Sequence, residues 1–128
     1  MSDFPQPDRP TALARAAADA VRSLNHATLG GGGLDQPADA YDVLGELSLA
    51  ASRLPQALGQ VGRWLAAALA GGQLGSNDGT DPACAVSGAW IFLSDARGSA
   101  AALARDLEQA RQQLSAVNGQ PSLEGESS

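Results

Sequence analysis

The side chains that could carry out chemistry are few and widely separated in this sequence. It contains one cysteine, Cys84, and one histidine, His26, so the chain can assemble neither an internal disulfide nor a zinc site of Cys and His ligands. We expect His26 to lie in the last turn of a helix, where a protonated imidazole interacts favourably with the helix dipole. We expect Cys84 to be a small, partly buried residue in the first turn of another helix. The alternative for Cys84 is a redox-sensing thiol, because a helix N-terminus favours the thiolate.

Two further patterns have the residue types of a metal or phosphate site. Asp39, Asp42 and Glu46 follow one helix face, but a metal ion needs more converging oxygen ligands than one face supplies, so we expect a solvated surface. The glycine run 30–33 follows a helix rather than a strand, which is typical of a helix end and a flexible connection rather than a phosphate cradle. The sequence therefore predicts a non-enzymatic protein with no catalytic residue, no cofactor and no metal.

Length and charge restrict the class of protein further. A chain of 128 residues has room for one domain with a modest core. The net charge is −6, there is no lysine, and the eight arginines are scattered, so we expect no nucleic-acid partner. The sequence has no apolar run of transmembrane length, and its first ten residues are polar and rich in proline, unlike a secretion signal. We therefore expect a cytoplasmic protein that does not bind a membrane.

Helix start and stop signals predict an all-α fold with three helices. Prolines 10, 37 and 82 suit the first helical position, each with an acidic residue one or two positions before it, and glycines follow each segment. The predicted helices span residues 10–29, 37–70 and 82–118 in a single domain, 10–119. We expect residues 1–9 to form a disordered arm and residues 120–128 a disordered tail.

Helices 2 and 3 each carry an apolar seam whose steps alternate between three and four residues, as in a coiled coil. The seam of helix 2 is Ala40, Leu44, Leu47, Ala51, Leu54, Leu58, Val61, Leu65 and Ala68. The seam of helix 3 is Val86, Ala89, Leu93, Ala96, Ala100, Leu103, Leu107, Ala110, Leu114 and Val117. A short loop joins them, so we expect a long antiparallel hairpin, with helix 1 packed on one half of it in a three-helix-bundle-like arrangement. Pro55 should bend helix 2 without ending it.

Apolar side chains outside these seams predict an interaction surface. More of them surround the loop end of the hairpin than a two-helix seam can bury, and large exposed apolar patches mark interfaces. The candidate partner or oligomer interface is Trp64, Leu69, Trp90, Ile91 and Phe92. Alternatively, Phe4 and the N-terminal arm fold over this end. Glycines 45, 59, 62, 88 and 98 lie inside helices, which indicates either close backbone approach or simple tolerance.

The middle of the chain resembles small uncharacterised Ala-rich helical proteins of actinobacteria, some of them encoded near mobile-element genes. The segments that carry the resemblance are 24–28, 37–39, 41–45, 50–58 and 63–65. The resemblance implies no activity and no site residue. The size, acidity and hairpin plan are also similar to the helical substrates of type VII secretion, but their Trp-x-Gly turn is missing between Gly71 and Asp81.

The most economical function for this pattern is a non-enzymatic cytoplasmic interaction or regulatory protein that acts by helix packing. We expect a protein partner, self-association as a homodimer, or both. The alternatives are a type VII-like secreted helical hairpin and an accessory protein of a plasmid or other mobile element.

Overall fold

A computed structural model of the chain describes residues 9–119. Within this range there are three α-helices, α1 (Pro10–Ala27), α2 (Pro37–Ala70) and α3 (Pro82–Gln113), a 3₁₀ turn at Leu29–Gly31, and no strand. The all-α class is thus confirmed. Except for Arg9, the predicted arm and tail lie outside the described residues. The chain divides into two compact units, Met1–Gln36 and Pro37–Ser128, which are described separately.

The first unit contains α1 and the glycine run. The helix begins at Pro10, which needs no backbone N–H there. It ends at Ala27, because the Thr28 hydroxyl and N–H both donate to the Leu24 carbonyl and Gly30 then adopts φ +67°, a left-handed conformation. His26 lies exposed in the last turn. The packing of α1 on one half of the hairpin stays a prediction.

The second unit is the predicted hairpin of α2 and α3. The Asp81 carboxylate caps α3 by accepting a hydrogen bond of 3.0 Å from the Ala83 N–H. The helices run antiparallel, because Ser48 donates to the Ala104 carbonyl over 2.9 Å while Gly62, further along α2, lies beside Leu93, earlier in α3. α2 continues through Pro55 as one helix.

The core of the hairpin is made of small residues. Its buried apolar side chains are Ala51, Ala68 and Ala100, and Ser48, Gly59 and Gly62 are also buried. No larger side chain in the described part of the hairpin is fully buried. With so little side-chain volume between them, the two backbones can approach closely along much of their length.

Part of the predicted seam is wrong. Leu54 and Val61 of α2 and Leu103 of α3 are 45%, 52% and 48% exposed, although each was assigned to the interface between the helices. Ala51, Ala68 and Ala100 of the predicted seams are buried. α2 also buries Ser48, Gly59 and Gly62, each one position along from a predicted seam residue. α3 also ends at Gln113, so the predicted seam residue Val117 lies beyond the helix and is exposed.

The connection between α2 and α3 is held by a local hydrogen-bond cluster around Asp78. Its carboxylate accepts from the Ser76 hydroxyl at 2.7 Å and from the Thr80 N–H at 2.9 Å. Hydrogen bonds from Thr80 and Ser76 to the carboxylate lower the pKa of Asp78 to about 2. This arrangement fixes the turn just before Asp81 begins α3.

Candidate functional site

Three glycines of α2 lie beneath long side chains of α3. A Cβ atom placed on Gly62 would lie 2.9 Å from Cζ3 and 3.1 Å from Cε3 of the Trp90 indole. Equivalent atoms on Gly59 and Gly45 would lie 3.3 Å from Cζ of Arg97 and 3.1 Å from Cδ of Arg111. Gly62 therefore serves the close approach of the Trp90 ring, whereas Gly45 and Gly59 lie under flexible arginine side chains.

The two helical glycines of α3 behave differently. A Cβ atom on Gly88 or on Gly98 would meet nothing within 4 Å in the described part of the chain. At these two positions the helix simply tolerates glycine, and no close approach of a neighbouring group in the described range requires it. Gly88 and Gly98 therefore supply matched control positions for the contact between Gly62 and Trp90.

The ring of Trp90 forms one wall of a shallow, open groove near the loop end of the hairpin. We call it the front groove; it is lined mainly by Ala66, Leu69, Val86, Trp90 and Ile91. The structure thus brings together three of the five predicted interface residues. Trp90 is still 42% exposed, although its ring covers Gly62.

The other two predicted residues, Trp64 and Phe92, do not line this groove and are 63% and 75% exposed. Successive residues of an α-helix are rotated by about 100°, so Phe92 lies about 200° around α3 from Trp90. It therefore projects from the opposite side of the hairpin. On α2, Val61 lies about 140° from Ala66, which lines the front groove, and so on that opposite side as well.

A second apolar surface follows from these positions, and we call it the back face. Leu54 and Val61 are seven residues apart on α2, and Trp64 is one turn further on. Phe92 and Leu103 are eleven residues apart on α3, close to three full turns. The back face consists of Leu54, Val61, Trp64, Phe92 and Leu103, each of which is among the exposed large apolar residues.

Sequence reasoning missed the back face because three of its residues were placed in the hairpin seam. A signal was nevertheless present. α2 carries a second stripe with alternating steps of four and three, which shares Leu47, Leu54, Val61 and Ala68 with the predicted seam. Its members are Val43, Leu47, Ala50, Leu54, Ala57, Val61, Trp64 and Ala68.

A polar cluster occupies the front side near the open end of the hairpin. The Arg111 guanidinium lies 4.5 Å from the centroid of the Tyr41 ring, and it donates to Glu108 from Nε at 2.9 Å and from Nη2 at 2.6 Å. This pairing lowers the pKa of Glu108 and raises that of Arg111. Because the Arg111 guanidinium is already paired with Glu108, we interpret the cluster as a structural contact that holds α2 and α3 together at this end of the hairpin.

The residues whose types could do chemistry are not assembled into a site. Cys84 is exposed, so the prediction that it is partly buried is wrong. Asp42 and Glu46 are exposed beside the polar cluster. The part of the chain that the structure describes holds no group of three Cys, His, Asp or Glu side chains that could bind a metal ion.

Comparisons with protein-family models, with curated proteins and with solved structures find no match for this chain. Over residues 9–119, no helix combines the length and the apolar character that crossing a membrane requires. The feature of the hairpin that bears on function is therefore the distribution of its apolar side chains.

Proposed function

We propose that this is a non-enzymatic protein-interaction module that acts by helix packing and self-associates as a homodimer. One observation carries the proposal: the fully buried residues of the hairpin are alanine, glycine and serine, while eight of its large apolar side chains are exposed. The exposed members on α2 and α3 are Leu49, Leu54, Val61, Trp64, Trp90, Ile91, Phe92 and Leu103.

The energetic consequence is large compared with the stability of a small domain. Burying one large apolar side chain contributes about 1.5–3 kcal/mol, whereas a domain is stable by only about 5–15 kcal/mol in total. Two helices alone cannot cover these side chains, since each helix offers the other only one stripe. A further packing partner would add several of these contributions.

We place this function in the cytoplasm. The exposed thiol of Cys84 supports that location, because a free surface cysteine suits a reducing compartment. Arg97, which lies on Gly59, and Arg111, which is paired with Glu108, give no support to a nucleic-acid partner.

Light scattering over a concentration series, from ~1 to ~200 μM, tests self-association in the range expected of weak dimers. The mass should rise from the 12.9 kDa of one chain toward twice that value. The Cys84→Ser variant should behave identically, which separates helix packing from an intermolecular disulfide. A mass that stays at one chain across the whole series would rule out the homodimer.

A further inference from the structure

We infer that the back face is the surface through which two copies of this chain pair, in an antiparallel arrangement about a two-fold axis. This inference rests on the proposed self-association and names its surface. Three observations support it: the uncharged stripe of α2 at the centre of the back face, the area that the back face exposes, and its self-complementary shape.

The α2 stripe at the centre of the back face, which contains Leu54, Val61 and Trp64, carries no charged residue from Val43 to Ala68. Arg53 borders this stripe, because it lies eleven residues, or close to three turns, before Trp64. The residues that line the front groove are also uncharged, and the front side carries its charge nearer the open end of the hairpin, at Arg97 and at the pair of Arg111 and Glu108. Interface centres are depleted in charge and enriched in aromatic residues, so the back face has the composition of an interface centre.

The exposed area is that of a weak contact between two copies. An aromatic side chain buries about 150–250 Å², so the exposed fractions of Trp64 and Phe92 (63% and 75%) correspond to roughly 200–350 Å². The three half-exposed aliphatic residues add roughly 100–200 Å². This area follows from a contribution of about 1.5–3 kcal/mol for each fully buried side chain at ~25 cal/mol per Å². Two copies would bury roughly 600–1,100 Å², below the ~1,200 Å² at which standard interfaces begin. A weak, concentration-dependent dimer is expected.

The shape of the back face complements itself. Gly62 lies beside Leu93 and Ser48 bonds to Ala104, so Val61 stands level with Phe92, and Leu54 stands level with the first residues after Ser99. The aromatic residues thus lie at one end of the back face and the leucines at the other. An antiparallel two-fold axis places the aromatic end of one copy on the leucine end of the other, and large groups then pack against smaller ones.

Two adjacent residues of α3 give a matched pair of variants. Phe92→Glu places a charge on the back face, and Ile91→Glu places the same charge on the front groove at an equally exposed position, 61% against 75%. By sedimentation equilibrium, Phe92→Glu should raise the dimer dissociation constant at least tenfold, whereas Ile91→Glu should change it by less than about threefold. Helical content at low concentration checks that both variants fold.

The two tryptophans of the chain report the same surface without adding charge. In Trp90→Phe the remaining emission comes from Trp64, which should shift to shorter wavelength as concentration rises. In Trp64→Phe the emission comes from Trp90, which should shift little.

The antiparallel arrangement has its own test. On a Cys84→Ser background, the double variant Leu54→Cys/Val61→Cys should form a disulfide-linked dimer that neither single cysteine variant forms. Within one helix these positions are about 10 Å apart, too far for a disulfide.

The outcomes separate this inference from the proposed function. A wild-type dimer that Ile91→Glu dissociates and Phe92→Glu does not would overturn the back face as the contact and leave self-association standing. A dimer without the crosslink between positions 54 and 61 would overturn the antiparallel arrangement. A wild type that stays monomeric would remove the homodimer itself. If Phe92→Glu then lowered the melting temperature of the monomer by several degrees, the same chain would be covering the back face.

Discussion

Replacing Gly62 by alanine tests the closest contact between the two helices. A methyl group at this position would lie 2.9 Å from the Trp90 ring, nearer than carbon atoms pack. The substitution should gain about 1 kcal/mol from helix propensity, because glycine is that much poorer than alanine inside a helix. Overpacking typically costs about 1–3 kcal/mol. The net expected change is a loss of up to about 2 kcal/mol in the free energy of unfolding.

Gly98→Ala supplies the matched control on the other helix. It brings the same propensity gain, and nothing lies within 4 Å of the added methyl group in the described structure. This variant should therefore be stabilised by about 0.5–1 kcal/mol. The difference between the two variants isolates the cost of displacing the ring, expected to be about 1–3 kcal/mol. Urea denaturation followed by circular dichroism at 222 nm, under conditions where the protein is monomeric, measures both.

A double-mutant cycle identifies the ring as the cause. In a Trp90→Ala background the methyl group at position 62 meets no indole, so Gly62→Ala should become as favourable as Gly98→Ala. If Gly62→Ala already stabilises the otherwise unchanged protein as much as Gly98→Ala does, then Trp90 does not pack on Gly62. Gly62 would then not be needed to make room for the indole ring.

Three other perturbations test the hairpin. Pro55→Ala should raise the unfolding free energy by up to about 3 kcal/mol, because it restores the hydrogen bond to the carbonyl of buried Ala51. A lower melting temperature would indicate that the hairpin requires the proline at this position. Ser48→Ala removes the bond to the Ala104 carbonyl and should cost about 0.5–1.5 kcal/mol, and no change in urea denaturation would show that this bond is replaced by water. The carboxyl of Asp78 should titrate by NMR near pH 2 rather than near its ordinary 3.8. The lowered pKa means that the loop contacts stabilise the fold above about pH 4 and are lost as the pH falls toward 2, so a midpoint near 3.8 would contradict the hydrogen bonds to Ser76 and Thr80.

The helices and their pairing could be predicted because local signals specify them. Pro37 and Pro82 each begin a helix, and Asp81 caps the second of these from the position just before it. Such signals act within a few residues, so a single sequence contains them in full. The antiparallel hairpin then follows from two long helices joined by a loop that is short compared with either helix.

The face that each helix turns inward could not be predicted in the same way. Both alternating stripes on α2 contain Leu54 and Val61, so counting large apolar residues places these two in the interface. The structure instead buries Gly59 and Gly62, which lie beneath Arg97 and Trp90, together with Ala51 and Ala68 of the predicted seam. Which face of α2 packs against α3 depends on whether the side chains of the two helices fit together. The spacing of apolar residues along one helix carries no information about that fit. The pairing of Arg111 with Glu108 over Tyr41 depends on the same register.

The arrangement of small residues inside and large residues outside links stability to association. A core of alanine and glycine gains mainly from dispersion contacts along a close backbone interface, and each such contact is weak. The larger hydrophobic contribution stays available on the back face until Val61, Trp64 and Phe92 are covered. A partner that binds only the folded hairpin stabilises it by about 2.7 kcal/mol when present at 100 times its dissociation constant. If two copies pair through the back face as proposed, the chain should be most resistant to unfolding when paired, and its melting temperature should report the same equilibrium as its mass.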